Sequence, residues 1–186
     1  MISFQRYWTG MKILIISNSR CGSTNLMKSI SSANDIPSVF EPFILNTTFD
    51  ITQPMVMKTL INQNSLDFYK EFIPYFDKVI FLTRRNTIEM VESLVNMKKR
   101  FKDVGYDYDA GVHSIPYSFQ YEGEITDDPM YFKVCKRKNN LIKLAEYFNH
   151  HIDYYEDVFL TNKSLIDTEI KLDLTYLDEN LKLRKN

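Results

Sequence analysis

A basic residue, a glycine and two hydroxyl groups lie close together near the start of the chain, in a pattern that suits anion binding. Arg20 stands two residues before Gly22, and the hydroxyls of Ser23 and Thr24 follow directly. In a tight loop these residues bring backbone N–H groups, hydroxyls and one positive charge within reach of a single phosphate or sulfate. The same residues also suit a simple turn and helix cap. The neighbouring elements must therefore decide between the two interpretations.

The segments on either side of this loop predict a strand followed by a helix. Residues 13–16 form a continuous apolar run rich in β-branched side chains, typical of a doubly buried strand, and we predict a strand at Lys12–Ser17. Apolar residues then recur at helical spacing, which predicts a helix over residues 23–33. The first N–H groups of that helix and the positive end of its dipole point into the loop. This arrangement favours an anion as the occupant of the loop.

A second polar segment follows another apolar run. The run Lys78–Thr83 (KVIFLT) predicts a strand, and Arg84 and Arg85 come directly after it. An asparagine with a glutamate three residues later resembles a capping arrangement, which predicts a helix over residues 87–100. Ser93 lies eight residues after Arg85 and about two turns into this helix, on the same helix face as the residue that starts it. Both groups can therefore converge on one phosphate. Arg84 is an alternative ligand or a surface charge.

Strand and helix patterns alternate along the rest of the chain. The run Met55–Leu60 predicts a strand that Lys58 interrupts, residues 66–73 and 129–148 predict helices, and residues 151–155 predict a last strand. The alternation predicts an α/β fold, with a single-domain, mostly parallel sheet flanked by helices. Ligands of such folds bind outside the carboxyl ends of the strands, which is where both polar segments are predicted to lie.

The composition is that of an ordinary globular protein. The 186 residues include 23 basic and 24 acidic side chains, and the net charge of −1 argues against nucleic acid or a membrane as a partner. Cys21 and Cys135 are far apart and lack metal-ligand spacing, so they favour a reducing compartment over a disulfide scaffold or a zinc site. No run has the apolar length of a membrane span or a signal peptide. We therefore expect one cytoplasmic domain over residues 1–186, with residues 1–10 as a possible dispensable extension.

The first loop departs from two familiar phosphate-binding patterns. A nucleoside-triphosphate loop needs G-x-x-x-x-G-K-[ST], whereas Ser17 stands here at the first glycine position and Ser23 at the lysine position. A cysteine phosphatase would need an arginine six residues after its cysteine, and Met27 occupies that position. Cys21 is therefore predicted to be a small structural thiol rather than a nucleophile.

The loop is similar instead to the 5′-phosphosulfate-binding loop of sulfotransferases, in which Lys or Arg is followed by x-Gly-[ST]-[ST]. These enzymes take the sulfuryl group from 3′-phosphoadenosine 5′-phosphosulfate (PAPS). Arg85 and Ser93 resemble the arginine and serine with which the family binds the 3′-phosphate, and residues 155–158 resemble its Tyr-Glu-Asp-[Leu/Val] segment, for which we expect a structural role. The resemblance covers residues 12–159 with the three motifs in order, and it implies the P-loop sulfotransferase architecture in a compact form.

The resemblance implies a set of residues that bind PAPS. They are Arg20, Cys21, Gly22, Ser23, Thr24, Asn25, Arg85 and Ser93. Two positions depart from the family pattern. Asn25 stands where some members carry a tryptophan that stacks on adenine, so the adenine platform must come from elsewhere. The only late counterpart of the family's Arg-Lys-Gly is residues 184–186, which lack the glycine and are expected to form a solvated tail.

Sulfuryl transfer resembles phosphoryl transfer, so it needs positive charge at the leaving oxygen and a base at the acceptor. The resemblance implies Arg20 for the charge and Glu41, within SVFEPF, for the base, because many members carry a glutamate there and aromatic neighbours can desolvate it. His113, in a tyrosine-rich loop over residues 102–128, is the alternative base. Lys58 is expected to contact the sulfonate, to orient Glu41, or only to extend its charge to solvent. No metal is expected.

The acceptor is expected to be a small molecule or a carbohydrate with a hydroxyl or amine group, while its identity and the oligomeric state stay open. The compact length suits a microbial or viral source. Two alternative functions also stay open. A nucleotide or small-molecule kinase with a degenerate loop would bind ATP with Mg²⁺ and have no preference for a 3′-phosphate. A non-catalytic nucleotide-binding module would bind the nucleotide without transfer.

Overall fold

The computed structural model describes residues 10–104 and 125–177, which form a five-stranded sheet flanked by helices. The strands are β1 (Lys12–Ser17), β2 (Ser38–Phe40), β3 (Met55–Leu60), β4 (Lys78–Thr83) and β5 (Ile152–Tyr154). Their order in the sheet is β2-β3-β1-β4-β5, and every neighbouring pair is parallel. The predicted α/β fold with a parallel sheet is confirmed.

The helices follow the strands in the predicted alternation. They are α1 (Ser23–Asn34), α2 (Pro42–Leu45), α3 (Leu66–Phe72), α4 (Thr87–Val104) and α5 (Pro129–Tyr147), with a π-helical turn at Glu156–Thr161. Two predicted caps are confirmed. Ser65 Oγ accepts a hydrogen bond from Phe68 N at 3.1 Å, and Asn86 and Glu89 bond reciprocally at the start of α4. No helix in the described ranges is both long and apolar enough to cross a bilayer.

Two short elements between α1 and β3 were not predicted from the sequence. β2 has three residues, with Ser38 exposed and Phe40 half-buried, so it shows too few alternations to produce a period-two pattern. The four-residue helix α2 begins at Pro42, which supplies a favourable first helical position. Together these elements place Glu41 next to β3, because Phe40 pairs with Lys58.

The sheet is buried on both faces. On one face, α1 and the π-helical turn cover alternate residues of the strands, and this core includes Ile13, Ile15, Leu26, Ile30, Val56, Leu82, Tyr155 and Phe159. On the other face, α3 and α5 cover the intervening residues, and this core includes Leu14, Ile16, Met57, Tyr69, Phe81, Leu141 and Leu144. Burial on both faces explains why the central strands read as continuous apolar runs rather than alternating ones.

Residues 163–177, here called the C-terminal segment, pack along α1. Leu165, Ile170 and Leu177 join the core on that face. Ser29 Oγ donates to the carbonyl of Asp173 at 2.8 Å. Further bonds to this segment come from Asn25, Ser32 and Asn34. The polar side of α1 is therefore held by a part of the chain that is distant in sequence.

Candidate functional site

The chain leaves β1 and β4 in opposite directions, and the region outside the carboxyl ends of these two strands is here called the crevice. After β1 the chain passes through α1 to β2 at one end of the sheet, and after β4 it passes through α4 and α5 to β5 at the other end. Ligands of open parallel sheets bind at such a reversal, outside the carboxyl ends of the strands. Asn18 N donates to Leu82 O at 3.3 Å and joins the two sides. Both predicted polar loops therefore lie at this crevice.

The loop after β1 has a left-handed backbone at two positions. The φ angle is 66° at Arg20 and 79° at Gly22. Glycine adopts this conformation readily, whereas arginine pays on the order of 1 kcal/mol for it. The N-cap of α1 is Gly22, which has no side chain to accept from the first turn. The loop thus presents the start of α1 without a side-chain cap at this position, as an anion site requires.

Arg20 and Ser93 connect the two sequence motifs. Arg20 Nε donates to Ser93 Oγ at 2.9 Å, although the residues lie far apart in the sequence. Burial and, to a smaller extent, the nearby charge of Arg84 lower the pKa of the Arg20 guanidinium. The structure therefore brings Ser93 to Arg20 at the mouth of the crevice.

Arg84 is the more deeply buried of the two arginines that follow β4. Its residue exposure is 5%, its guanidinium carbon lies 4.2 Å from the centroid of the Tyr155 ring, and its Nη1 lies 3.6 Å from Glu89 Oε2. Within the ranges that the structure describes, Arg84 Nε is buried without a hydrogen-bond partner. Arg84 is therefore not a surface charge, and it retains a donor for a ligand.

Arg85, the predicted 3′-phosphate ligand, is turned towards the third motif. Its side chain is about half exposed and forms two hydrogen bonds with Asp157, at 2.7 and 2.5 Å. The guanidinium also lies 4.3 Å from the Tyr154 ring centroid, and Glu156 accepts from the Arg85 N–H. Through these bonds to Arg85, Glu156 and Asp157 hold the turn between β4 and α4. A role for Arg85 in ligand binding stays a prediction.

Glu41 is buried, and each of its carboxylate oxygens has a partner in the chain. Its exposure is 4%, Oε1 forms an ion pair with Lys58 Nζ, and Oε2 accepts from Gln63 Nε2 at 2.9 Å. Its backbone is left-handed, with φ at 40°, and its N–H donates to Lys58 O at 2.9 Å. Left-handed geometry at a residue other than Gly, Asn or Asp is uncommon and marks positions that the surrounding structure must hold.

Lys58 belongs to the site rather than to the surface. It is 3% exposed in β3, and Phe40 covers it, with 4.6 Å from Nζ to the ring centroid. Burial lowers the pKa of Lys58, the Glu41 carboxylate opposes that change, and the charge of Arg20 adds to the lowering. Lys58 is therefore paired with Glu41 and does not extend its charge to solvent, while its roles in contacting the sulfonate and in orienting Glu41 stay predictions.

Cys21 is completely buried between the strands and the loop. Its thiol donates to Asn18 O at 2.8 Å, and burial raises the pKa of the thiol above its ordinary value. Both features oppose formation of a nucleophilic thiolate. The geometry agrees with the structural role predicted for Cys21.

The remaining predicted residues divide into two groups. Ser23 is buried and Thr24 half-buried at the first turn of α1, while Asn25 donates to Tyr176 O at 3.3 Å and so helps to hold the C-terminal segment. His113, the tyrosine-rich part of the loop at residues 106–121, residues 184–186 and residues 1–9 lie outside the described residues.

Two site residues were missed by sequence reasoning. Asn18 is 2% exposed, and neither polar atom of its side chain has a hydrogen-bond partner within the described ranges. Its position directly after a predicted strand was the available signal. Gln63, which contacts Glu41, lies in the turn after β3 and has no signal in the sequence, because its role depends on the pairing of β2 with β3.

A separate cavity of about 700 Å³ lies away from the crevice. It is lined by the end of α1, the start of β2 and Tyr176. Among the described residues, no group of three or more His, Cys, Asp or Glu side chains is arranged to hold a metal ion.

Comparison of the chain with models of protein families, with curated proteins and with solved structures gave no match.

Proposed function

We propose that the chain is a sulfotransferase with PAPS as the sulfuryl donor and a hydroxyl or amine group as the acceptor. The observation that carries this proposal is the 2.9 Å hydrogen bond between Arg20 Nε and Ser93 Oγ. It joins two segments to which the family resemblance assigns the two phosphate groups of one nucleotide. The pairing of β1 with β4 alone makes the two loops neighbours, and this hydrogen bond adds a direct contact between the two side chains that the resemblance assigns to nucleotide binding.

The charge of the crevice supports an anionic ligand. Arg20, Lys58 and Arg84 are buried or half-buried there, and Glu41 is the buried carboxylate paired with one of them. Repulsion between Arg20 and Arg84 contributes to the lowered pKa of Arg20. A phosphate bound between these cations and the start of α1 would relieve that repulsion and satisfy Arg84 Nε.

Arg84, rather than Arg85, is the better candidate for the cation that contacts the 3′-phosphate with Ser93. Arg84 is buried and its Nε has no partner within the described ranges, whereas both terminal nitrogens of Arg85 already bond to Asp157. A buried donor aimed at no acceptor costs free energy until a ligand supplies one. We therefore assign Arg84 to this phosphate and Arg85 to holding the turn.

The proposed reaction is an in-line displacement at sulfur. The acceptor oxygen forms a bond to the sulfur, the bond from the sulfur to the bridging oxygen of the 5′-phosphate breaks, and the acceptor proton passes to the Glu41 carboxylate. Arg20 stabilises the negative charge that develops on the bridging oxygen. Each Glu41 oxygen accepts one hydrogen bond and keeps a further lone pair, so the carboxylate can still take that proton.

Calorimetric titration with adenosine 3′,5′-bisphosphate, the product nucleotide, tests the donor site. We expect Arg84→Gln to weaken binding roughly 10- to 100-fold, since a charge-assisted contact is lost. Arg85→Gln is the matched control at the neighbouring position, and its effect should stay within about threefold because the residue is half exposed. Ser93→Ala, at a half-buried position, provides a second test if Arg84→Gln does not fold.

The comparison ligands separate the competing functions. Adenosine 5′-monophosphate lacks the 3′-phosphate and should bind more weakly than the bisphosphate. Preference for ATP with Mg²⁺, or no binding of the bisphosphate, would overturn the sulfotransferase proposal. Tight binding of the bisphosphate without release of sulfate or sulfuryl product from PAPS would indicate a non-catalytic binding module.

A further inference from the structure

The side chain of Gln63 makes a contact that no sequence motif indicates. Its Nε2 donates to Glu41 Oε2 at 2.9 Å, on the carboxylate oxygen that Lys58 does not bind. Gln63 lies in the turn after β3, whereas Glu41 lies between β2 and α2. The two oxygens of Glu41 are thus held from two different directions.

A chain of buried hydrogen bonds fixes the amide of Gln63. Its Oε1 accepts from Thr59 Oγ1 at 2.7 Å, and the Thr59 hydroxyl lies 3.0 Å from Tyr69 Oη. Because the Thr59 proton is used on Gln63, Tyr69 Oη is the donor of that contact, and Leu60 O, 2.6 Å away, shares the single Tyr69 proton. Thr59 and Tyr69 are both 0% exposed, so water does not compete for these bonds.

The orientation of the amide has a chemical consequence. An amide carries its acceptor and its donor on the same carbon, so anchoring the oxygen at Thr59 turns the N–H₂ group towards Glu41. The reverse orientation would place the amide oxygen against a carboxylate oxygen. The network therefore presents a donor to Glu41 and restrains the plane of the carboxylate without adding charge.

We propose that Gln63, oriented by Thr59 and Tyr69, is the positioning residue for Glu41. This inference rests on the proposed function, because it assumes that Glu41 takes the acceptor proton. A donor on the ionised carboxylate favours the ionised form, and a fixed carboxylate plane aims the free lone pair in one direction. Gln63 thus holds the Glu41 carboxylate in one plane while touching neither donor nor acceptor.

The test combines a titration that needs no acceptor with a turnover assay. The carboxyl carbon of Glu41, assigned as the ¹³C signal absent from Glu41→Gln, is titrated by NMR in wild type, Gln63→Leu and Gln63→Glu. We expect its midpoint to rise in Gln63→Leu, which removes a hydrogen-bond donor from the carboxylate, and to rise further in Gln63→Glu, where a second carboxylate lies opposite the first. Asn62→Ala, at the exposed neighbouring position, is the matched control and should leave the midpoint unchanged.

Turnover of PAPS to water, followed as release of the bisphosphate, supplies the kinetic readout. We expect Gln63→Leu to lower kcat about tenfold, to move the acid limb of the pH–rate profile upward with the NMR midpoint, and to leave bisphosphate affinity within twofold. Thr59→Val should reproduce part of this effect, since it removes the anchor of the amide.

Three negative results have different meanings. A Gln63→Leu protein that binds bisphosphate normally and keeps the wild-type midpoint and pH profile would overturn this inference alone. A wild-type protein that does not bind bisphosphate or turn over PAPS would overturn the proposed function, and the inference with it. If Gln63→Leu lost the same fraction of its activity at every pH and kept the wild-type NMR midpoint of Glu41, Gln63 would have only a packing role.

Discussion

Lys58 and Glu41 form an ion pair in which the two side chains are only 4% and 5% exposed. Removing one partner of such a pair leaves an uncompensated buried charge. We expect Lys58→Met to lower the free energy of unfolding by about 3 kcal/mol, measured by urea denaturation. The double variant Lys58→Met with Glu41→Leu should recover much of that loss. Equal destabilisation by the single and double variants would contradict this account.

The buried carboxylate of Asp153 predicts a pH dependence of stability with a defined sign. Burial is the main cause that raises the pKa of Asp153, although Ile166 N donates to its Oδ1 at 2.8 Å. The folded state then holds the proton more tightly than the unfolded state, so stability falls as the pH rises from the ordinary aspartate value of about 4 through the raised value.

Asp153→Asn provides the test of this pH dependence, because the amide oxygen can still accept from Ile166 N. We expect the melting temperature of the variant, relative to wild type, to increase between pH 4 and pH 7. A difference that is constant, or that changes in favour of wild type as the pH rises, would show that ionisation of Asp153 does not cost stability.

The two cysteines should differ in reactivity. Cys21 is completely buried with a raised thiol pKa, whereas Cys135 is half-buried on α5. A disulfide reagent added to the native protein should therefore modify one thiol rapidly and the second only at the rate of unfolding. Cys135→Ser should abolish the fast phase, and Cys21→Ala should keep it. A fast phase that survives Cys135→Ser would show that the first loop opens in the native state.

The contact between α1 and the C-terminal segment predicts a difference between two serines on the same helix. Ser29 is 0% exposed and donates to Asp173 O, whereas Ser32 is exposed and donates to Asp173 Oδ2. Ser29→Ala should cost about 1 kcal/mol of stability by denaturant titration, and Ser32→Ala should cost less. Similar small effects from both variants would mean that these hydrogen bonds do not hold the segment.

The strands and long helices were predictable because their signals are local. Runs such as Lys12–Ser17 and Lys78–Thr83 are apolar at every position between their ends, and Ser65 and Asn86 mark helix starts through their own side chains. Such patterns depend only on neighbouring residues. β2 was not predicted, because its three residues at the edge of the sheet show no comparable hydrophobic pattern.

The site was predictable only as far as its residues follow strands directly. The sequence drew attention to Arg20, Arg85 and Glu41, but it did not reveal that Arg84 is buried while Arg85 pairs with Asp157. That difference depends on the direction in which each side chain leaves the end of β4. It also depends on Asp157, a partner more than 70 residues away in the sequence. Sequence spacing carries no information about such long-range pairing, and the same limit hid Gln63.

The position of β1 at the centre of the sheet has a consequence for the order of biosynthesis. Among the strands that the structure describes, β1 is the first to leave the ribosome, yet its neighbours β3 and β4 follow only after α1 and β2, with Ile13 paired to Val56 and Lys78. Helix α1, which follows the loop after β1, waits longer still for its last contacts, since Ser29 donates to Asp173 O. Pairings this distant in sequence form slowly and leave apolar strands exposed in the meantime. The contact between Arg20 and Ser93 therefore forms only after α4 has been synthesised.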